Sequence, residues 1–211
     1  MSVNEKMTAI ADAIREKTGG TDALTLDKMA EAIPEVYGAG KQSEYDKFWD
    51  AFQQNGERTD YGFAFYKWND LCYDPKYDIS ITNGQQGFRY STITNTRVPI
   101  TLKDGCNAVT LFNSCTQLVT IPKLILEASV KTLSGAFISC SALQEIEFEG
   151  VIDTGVNFSD CKALSYESLM NIITHLGKVQ TSQTLTLGTE NLAKLTDAEK
   201  AIATQKGWTL A

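Results

Sequence analysis

Phe112-Asn113-Ser114-Cys115-Thr116-Gln117-Leu118-Val119-Thr120-Ile121 recurs as Phe137-Ile138-Ser139-Cys140-Ser141-Ala142-Leu143-Gln144-Glu145-Ile146, 25 residues on. A third copy, Phe158, Cys161 and Leu164, follows 21 residues later, with Glu167 where the first two carry Ile121 and Ile146. Apolar residues at intervals of three cannot alternate as a strand does. They suit a turn or a short helical piece aimed inward, which leads into the strand that Ile146-Glu147-Phe148 begins. A phrase repeated at this period reads as a solenoid in which each coil buries its Phe and Leu against the next, with the small cysteine between them. The break at Glu167 predicts that the stack stops there, and that the chain from Ser165 onward caps it.

The pattern resembles the leucine-rich repeats of the bacterial surface-antigen type over roughly residues 100–170. In that family a Cys or Asn of each coil stands in an internal column. The resemblance assigns Cys115, Cys140 and Cys161 to equivalent packing positions. Cys72 and Cys106 complete a set of five, an odd number without a Cys-x-x-Cys pair, and one histidine, His175, is the whole complement. These thiols read as reduced packing residues rather than as disulfides, zinc ligands or nucleophiles. His175 falls on a predicted helix with no spacing that ties it to any cysteine.

With 211 residues, a net charge of −7 and a pI near 4.8, the chain can build a real core, and it carries no Lys/Arg cluster to neutralise a run of phosphates. Nucleic acid and anionic membrane surfaces are therefore not the expected partners. The opening Met1–Ile10 has no cationic patch followed by an apolar run, and no apolar stretch approaches twenty residues. The expectation is synthesis and folding in a cytoplasm, without membrane insertion.

Ahead of the repeats, Ser2 and Glu5 form a capping box, Met7, Ile10, Ala11 and Ile14 share a stripe, and Gly19-Gly20 stops the helix. A second helix runs from Thr25 through Leu26, Met29, Ala30 and Ile33 to Pro34. So short a hairpin must dock its stripe elsewhere, which favours assembly. After Gly38-Ala39-Gly40, residues 44–77 hold eleven of the twenty aromatics. Tyr45, Phe48, Trp49 and Phe52 fall on one helical face ending at Asn55-Gly56. Phe63-Ala64-Phe65 alternates like a strand. Tyr66, Trp68, Tyr73 and Tyr77 stand in irregular sequence beside Asn69-Asp70 and Asp74-Pro75. Aromatics set among amides and carboxylates can stack on sugar rings, so these four are candidate ligand-binding residues; they equally suit covering the end of the solenoid.

Residues 78–110 read as short strands and turns: Ile79–Thr82, the turn at Asn83-Gly84, Phe88-Arg89-Tyr90 and Val98–Leu102. Alternation across Glu145–Glu149 buries Ile146 and Phe148 and turns three carboxylates outward. These read as solvated charge, with no facing carboxylate cluster to make a cation site or an acid-base pair. In the cap, Ser165 starts a helix with Leu169, Ile172, Ile173 and Leu176 inward, and Thr184–Leu187 is a strand. Thr196 and Glu199 form a capping box ahead of a helix reaching Lys206-Gly207, and Trp208 and Leu210 return as a last strand or plug.

The run Ala11–Met29, with its Thr18-Gly19-Gly20-Thr21-Asp22 hinge, resembles the amino-terminal module of tail, fibre and other structural proteins of phages and prophages of Gram-positive hosts. Glu44–Gln53 with Asn55-Gly56 and Arg58–Tyr61 is similar to a second segment of those proteins, and Leu192–Lys200 through Gly207–Leu210 to their carboxyl terminus. The resemblance implies a virion protein that carries over no catalytic residue, cofactor or metal site. It implies as partners other virion proteins, a host cell-surface protein or glycan, and sister subunits, with a trimer favoured.

The expected architecture is α+β. A helical attachment and oligomerisation module at 1–37 precedes an aromatic-rich helical and loop module at 41–78, a leucine-rich-repeat solenoid at 79–164 and a helix-strand-helix cap at 165–211. The expected function is non-enzymatic display of the repeat domain on a phage particle assembled in the host cytoplasm. Two other functions fit the repeats: a bacterial surface adhesin, which needs an export signal, and a glycan-cleaving tail enzyme, which needs two carboxylates in one cleft.

Overall fold

The computed structural model describes residues 48–70 and 73–211, and the chain divides into two units, 1–51 and 52–211. The expected amino-terminal hairpin, Tyr45 and Cys72 lie outside the described residues. Residues 48–52 are helical, as the spacing of Phe48, Trp49 and Phe52 predicts, although Phe48 is exposed.

The second unit is α+β with two parallel sheets. Four strands lie side by side in chain order: β1 (Ile79–Asn83), β2 (Ile100–Asn107), β3 (Thr120–Leu126) and β4 (Glu145–Gly150). Their registers align Ile79 with Ile100, Ile100 with Leu124, and Leu124 with Phe148. Ile121 and Ile146, the tenth residues of the first two phrases, are likewise partners. One face is therefore a row of buried Ile, Leu and Phe, and the other carries Ser, Thr, Lys and Glu.

Parallel neighbours need a crossover, and here each crossover is built from turns. Across 61–68, the N–H groups of Ala64, Tyr66 and Trp68 close back on the carbonyls of Tyr61, Phe63 and Phe65. The intervening N–H groups of Phe63, Phe65 and Lys67 reach forward to the carbonyls of Gln85, Gly87 and Arg89 in the next copy. The same alternation repeats from 84–91 onto Val109, Leu111 and Asn113, and from 108–115 onto Ser134, Ala136 and Ile138. Phe63-Ala64-Phe65 and Phe88-Arg89-Tyr90 are thus turns, not strands. The alternating aromatics do not share one face as they would on a strand: Phe65 and Phe88 are buried, whereas Phe63 and Tyr90 are exposed. The third residue of each flanking turn takes a positive φ: Phe63 and Lys67, Gln86 and Tyr90, Thr110 and Ser114, Gly135 and Ser139. Asp60, Asn83, Asn107, Thr132 and Asn157 open the successive turns, each accepting from the N–H two residues on at 2.8–3.3 Å.

Between the turns, five phenyl rings form one column. Phe65, Phe88, Phe112, Phe137 and Phe158 stack with centroids 4.5, 5.1, 5.7 and 4.5 Å apart and planes 22–26° from parallel. Each ring is fully buried, worth about 1.5–3 kcal/mol in transfer, with about 0.5–1.5 kcal/mol for each aromatic pair. A second column runs beside it. Cys115 Sγ donates to the Phe88 carbonyl at 2.9 Å, Cys140 Sγ to Phe112 at 3.0 Å and Cys161 Sγ to Phe137 at 3.4 Å.

The chain then closes the stack. The helix α1 (Tyr166–His175) starts at Ser165, whose side chain accepts from the Ser168 N–H, and it buries Leu169, Ile172 and Ile173. Glu167, in the position held by Ile121 and Ile146, is exposed on its first turn. A second sheet holds β5 (Val156–Asn157), β6 (Gln183–Thr186) and β7 (Trp208–Leu210) in parallel order. Between its last two strands lie α2 (Gly188–Leu192) and α3 (Asp197–Gln205). Both halves of the Thr196/Glu199 capping box form at the start of α3, and Tyr166 of α1 donates its hydroxyl to Glu199.

Asn191 ends the polar column. Its amide donates to the carbonyls of Phe158, Cys161 and Leu187 at 3.1–3.4 Å, and Lys194 Nζ covers those of Lys162 and Leu164. No described helix is long and apolar enough to cross a membrane.

Candidate functional site

The four aromatics singled out in the sequence do not converge. Tyr73 is fully buried, its ring packed on Phe65 and Phe88 at 5.2 and 5.8 Å and its hydroxyl donating to the Thr96 carbonyl at 2.8 Å. Burial raises its phenol well above the usual range, against the pull of Arg97. Trp68 is half-buried between Phe52 and Phe65, at 5.4 and 5.3 Å. Tyr77 is fixed through its backbone by Gln53, whose side chain donates to the Tyr77 carbonyl and accepts from the Lys76 and Tyr77 N–H groups.

Tyr66 faces outward. It meets Tyr90 edge-on at 5.8 Å and Phe63 at 6.1 Å, and these two partners are exposed by 42% and 53%. Tyr66 and Tyr90 stand 24 residues apart in chain and on adjacent copies in space. Only the register of the turns brings them together, so no local spacing could have nominated Tyr90. Cations lie over two of the rings, Lys67 Nζ at 5.5 Å from Tyr66 and Arg89 Cζ at 4.8 Å from Tyr90.

A second surface is the polar face of β1–β4. Lys123 sits between Glu147 and Glu149 at 3.5 and 3.0 Å, and Lys103 meets Glu127 at 2.5 Å. The carboxylates of β4 are thus partly neutralised by the strand beside them. Where β4 meets α1, an open groove of about 390 Å³ is lined by Thr120, Pro122, Glu145, Glu147, Glu167 and Asn171. Glu145 accepts from the hydroxyls of Ser165 and Ser168 at 3.1 and 3.3 Å. Among the described residues no group of three or more His, Cys, Asp or Glu could hold a metal ion.

The thiols belong to the interior. Cys106, Cys115, Cys140 and Cys161 are free and buried. Burial raises Cys106 to about 11 and Cys115 higher still, while Cys161 is raised first by its hydrogen bond with Cys140 and then by burial. A nucleophilic cysteine needs the reverse, a thiolate stabilised by a base or cation. His175 closes α1, its Nδ1 lying 2.8 Å from the Asn171 carbonyl oxygen.

No model of a protein family, no curated protein and no solved structure matches this chain.

Proposed function

We propose that this chain is a non-enzymatic structural protein of a phage particle, of tail or fibre type. Its amino-terminal segment attaches it to the particle, and a short solenoid of surface-antigen-type leucine-rich repeats is displayed to a host surface molecule or a neighbouring virion protein. The observation that carries the reading is the pair of columns, phenyl on phenyl and thiol on carbonyl, that joins equivalent positions of successive copies. Such a stack makes a stiff body whose outward residues are free to vary, which is what a display module requires. The virion half of the reading is supported by the likeness of residues 11–29, 44–61 and 192–210 to phage structural proteins.

The test is to image purified particles with an antibody against residues 79–164. Labelling at the tail or baseplate is the expected result, and particles that stay unlabelled overturn the assignment. Light scattering of the purified chain tests the homo-oligomer, expected to be a trimer; a 23.2 kDa species overturns it.

A second reading, a glycan-cleaving tail enzyme, is favoured by one observation: Glu145, Glu147 and Glu167 line the same groove. Against it, all three are exposed, whereas a general acid is built into an apolar pocket. Release of reducing ends from a bacterial surface polysaccharide, lost in Glu145→Gln and Glu167→Gln, would establish the enzyme and displace the first reading.

A further inference from the structure

Phe63 and Tyr90 hold φ of +56° and +60°, a left-handed conformation that bulky residues rarely adopt. The copies around them show that the turns do not call for an aromatic ring there. In the column of Phe63 the next residues are Gln86, Thr110 and Gly135, and in that of Tyr90 they are Lys67, Ser114 and Ser139. Two large exposed aromatics therefore sit where a glycine or a small polar residue would fold more easily. Strain of this kind persists where something other than stability selects the side chain.

Charge is the second observation. Arg89 lies against the Tyr90 ring and directs three N–H groups to neutral acceptors: Asn113 Oδ1 at 3.2 Å, Gln86 Oε1 at 3.0 Å and the Tyr90 hydroxyl at 3.2 Å. A guanidinium has five N–H donors, so two remain. Neither Arg89 nor Lys67 enters any ion pair found among the described residues, on a chain of net charge −7. Three ring faces or edges, two cations with no ion-pair partner among the described residues and the amides of Gln86 and Asn113 thus share one patch.

We infer that Phe63, Tyr66, Tyr90, Arg89 and Lys67 form a binding site for an acidic saccharide, one that carries a carboxylate or phosphate beside a sugar ring. The rings take the C–H face of the sugar, Gln86 and Asn113 take hydroxyls, and the Arg89 fork takes the anion. This deepens the display reading, on which it rests only for the surface that would carry the saccharide.

Isothermal titration of the full-length chain with trigalacturonate, a mannose-6-phosphate oligosaccharide and maltotriose tests it, and whichever acidic saccharide binds identifies the source of the anion. Saturable binding to an acidic saccharide is expected, at least tenfold tighter than to maltotriose, and weakened at least tenfold in Arg89→Gln. Phe63→Gly and Tyr90→Asn are expected to lose binding while their thermal midpoints stay level or rise, because glycine and asparagine tolerate positive φ. The inference is overturned by no binding to either acidic saccharide, by equal binding to maltotriose, or by lower midpoints in both aromatic variants. Acidic-saccharide binding by a chain that does not label particles sinks the virion reading alone; labelled particles without such binding sink this inference alone.

Discussion

Gly150 ends β4 with φ +92°, and a Cβ there would stand 2.1 Å from the Leu126 carbonyl oxygen, its register partner on β3. No side-chain rotation can relieve a contact with backbone. Gly105 has a similarly left-handed φ of +69°, but nothing lies within 4 Å of its missing Cβ. The pair separates strain from collision. Gly105→Ala carries only the conformational term, about 1 kcal/mol, whereas Gly150→Ala adds displacement of the strand end and reaches about 3 kcal/mol. Urea titration of both variants measures the difference; equal losses would mean that the β4 end yields freely. Neither glycine stands out in the sequence, because the close approach at Gly150 is to a residue of the preceding copy. The side chains in the cysteine column hide in a similar way. Ser91 is fully buried in the copy of Phe88, where Cys115 and Cys140 stand in theirs, and its hydroxyl donates to the Trp68 carbonyl at 2.8 Å. A donor small enough to be buried is what that position needs, and serine meets the need without resembling cysteine in a motif search.

Elements closed by local chemistry were legible, and those closed by long-range chemistry were not. Ser165 and the Thr196/Glu199 box satisfy N–H groups three residues away, so their letters predict them. The alternation of β4 was legible for the same reason, since burial of Ile146 and Phe148 depends on side-chain period alone. Asn191 answers carbonyls 30 and 33 residues back in the chain, a distance over which no spacing rule operates. Its energetic weight should exceed that of the local caps. Asn191→Ala removes its three side-chain bonds, although the Phe158 and Cys161 carbonyls keep the N–H groups of Cys161 and Leu164; at about 0.5–1.5 kcal/mol for each bond lost, a loss of about 3 kcal/mol is expected. Thr196→Ala exposes an N–H that water reaches, at about 1 kcal/mol. Thermal midpoints of the two variants check the ranking, and a larger drop for Thr196→Ala would show that Lys194 alone closes the stack.

At the scale of the whole molecule, the three phrases marked by cysteine prove to be part of a five-ring column that begins at Phe65. The sequence hides the first two rings because Trp68 and Ser91 hold the cysteine position, and Thr94 holds the leucine position, in their copies. The exposed aromatic patch is hidden with them, since Tyr66 and Tyr90 become neighbours only once both copies are counted. The column also gives the molecule a shared sensitivity to alkali. Cys106, Cys115 and Cys161 ionise near 9 when unfolded, while in the fold Cys106 is raised to about 11 by burial, Cys115 further by burial, and Cys161 by its hydrogen bond with Cys140 and by burial. Between 9 and those raised values the unfolded chain has lost protons that the folded chain keeps. Stability is therefore full below pH 9 and falls as pH rises, by about 1.4 kcal/mol per pH unit for each thiol. The three thiols act in the same direction, and Cys106 stops contributing once it ionises near 11. Tyr61 and Tyr73, both raised by burial, add to the slope from pH 10. The urea midpoint should stay flat from pH 7 to 8.5 and fall steeply above 9, with a shallower fall in Cys115→Ala/Cys161→Ala. A midpoint unchanged through pH 11 would show that the thiols reach water in the native state, and iodoacetamide would then alkylate Cys115 and Cys161 at pH 8 without denaturant.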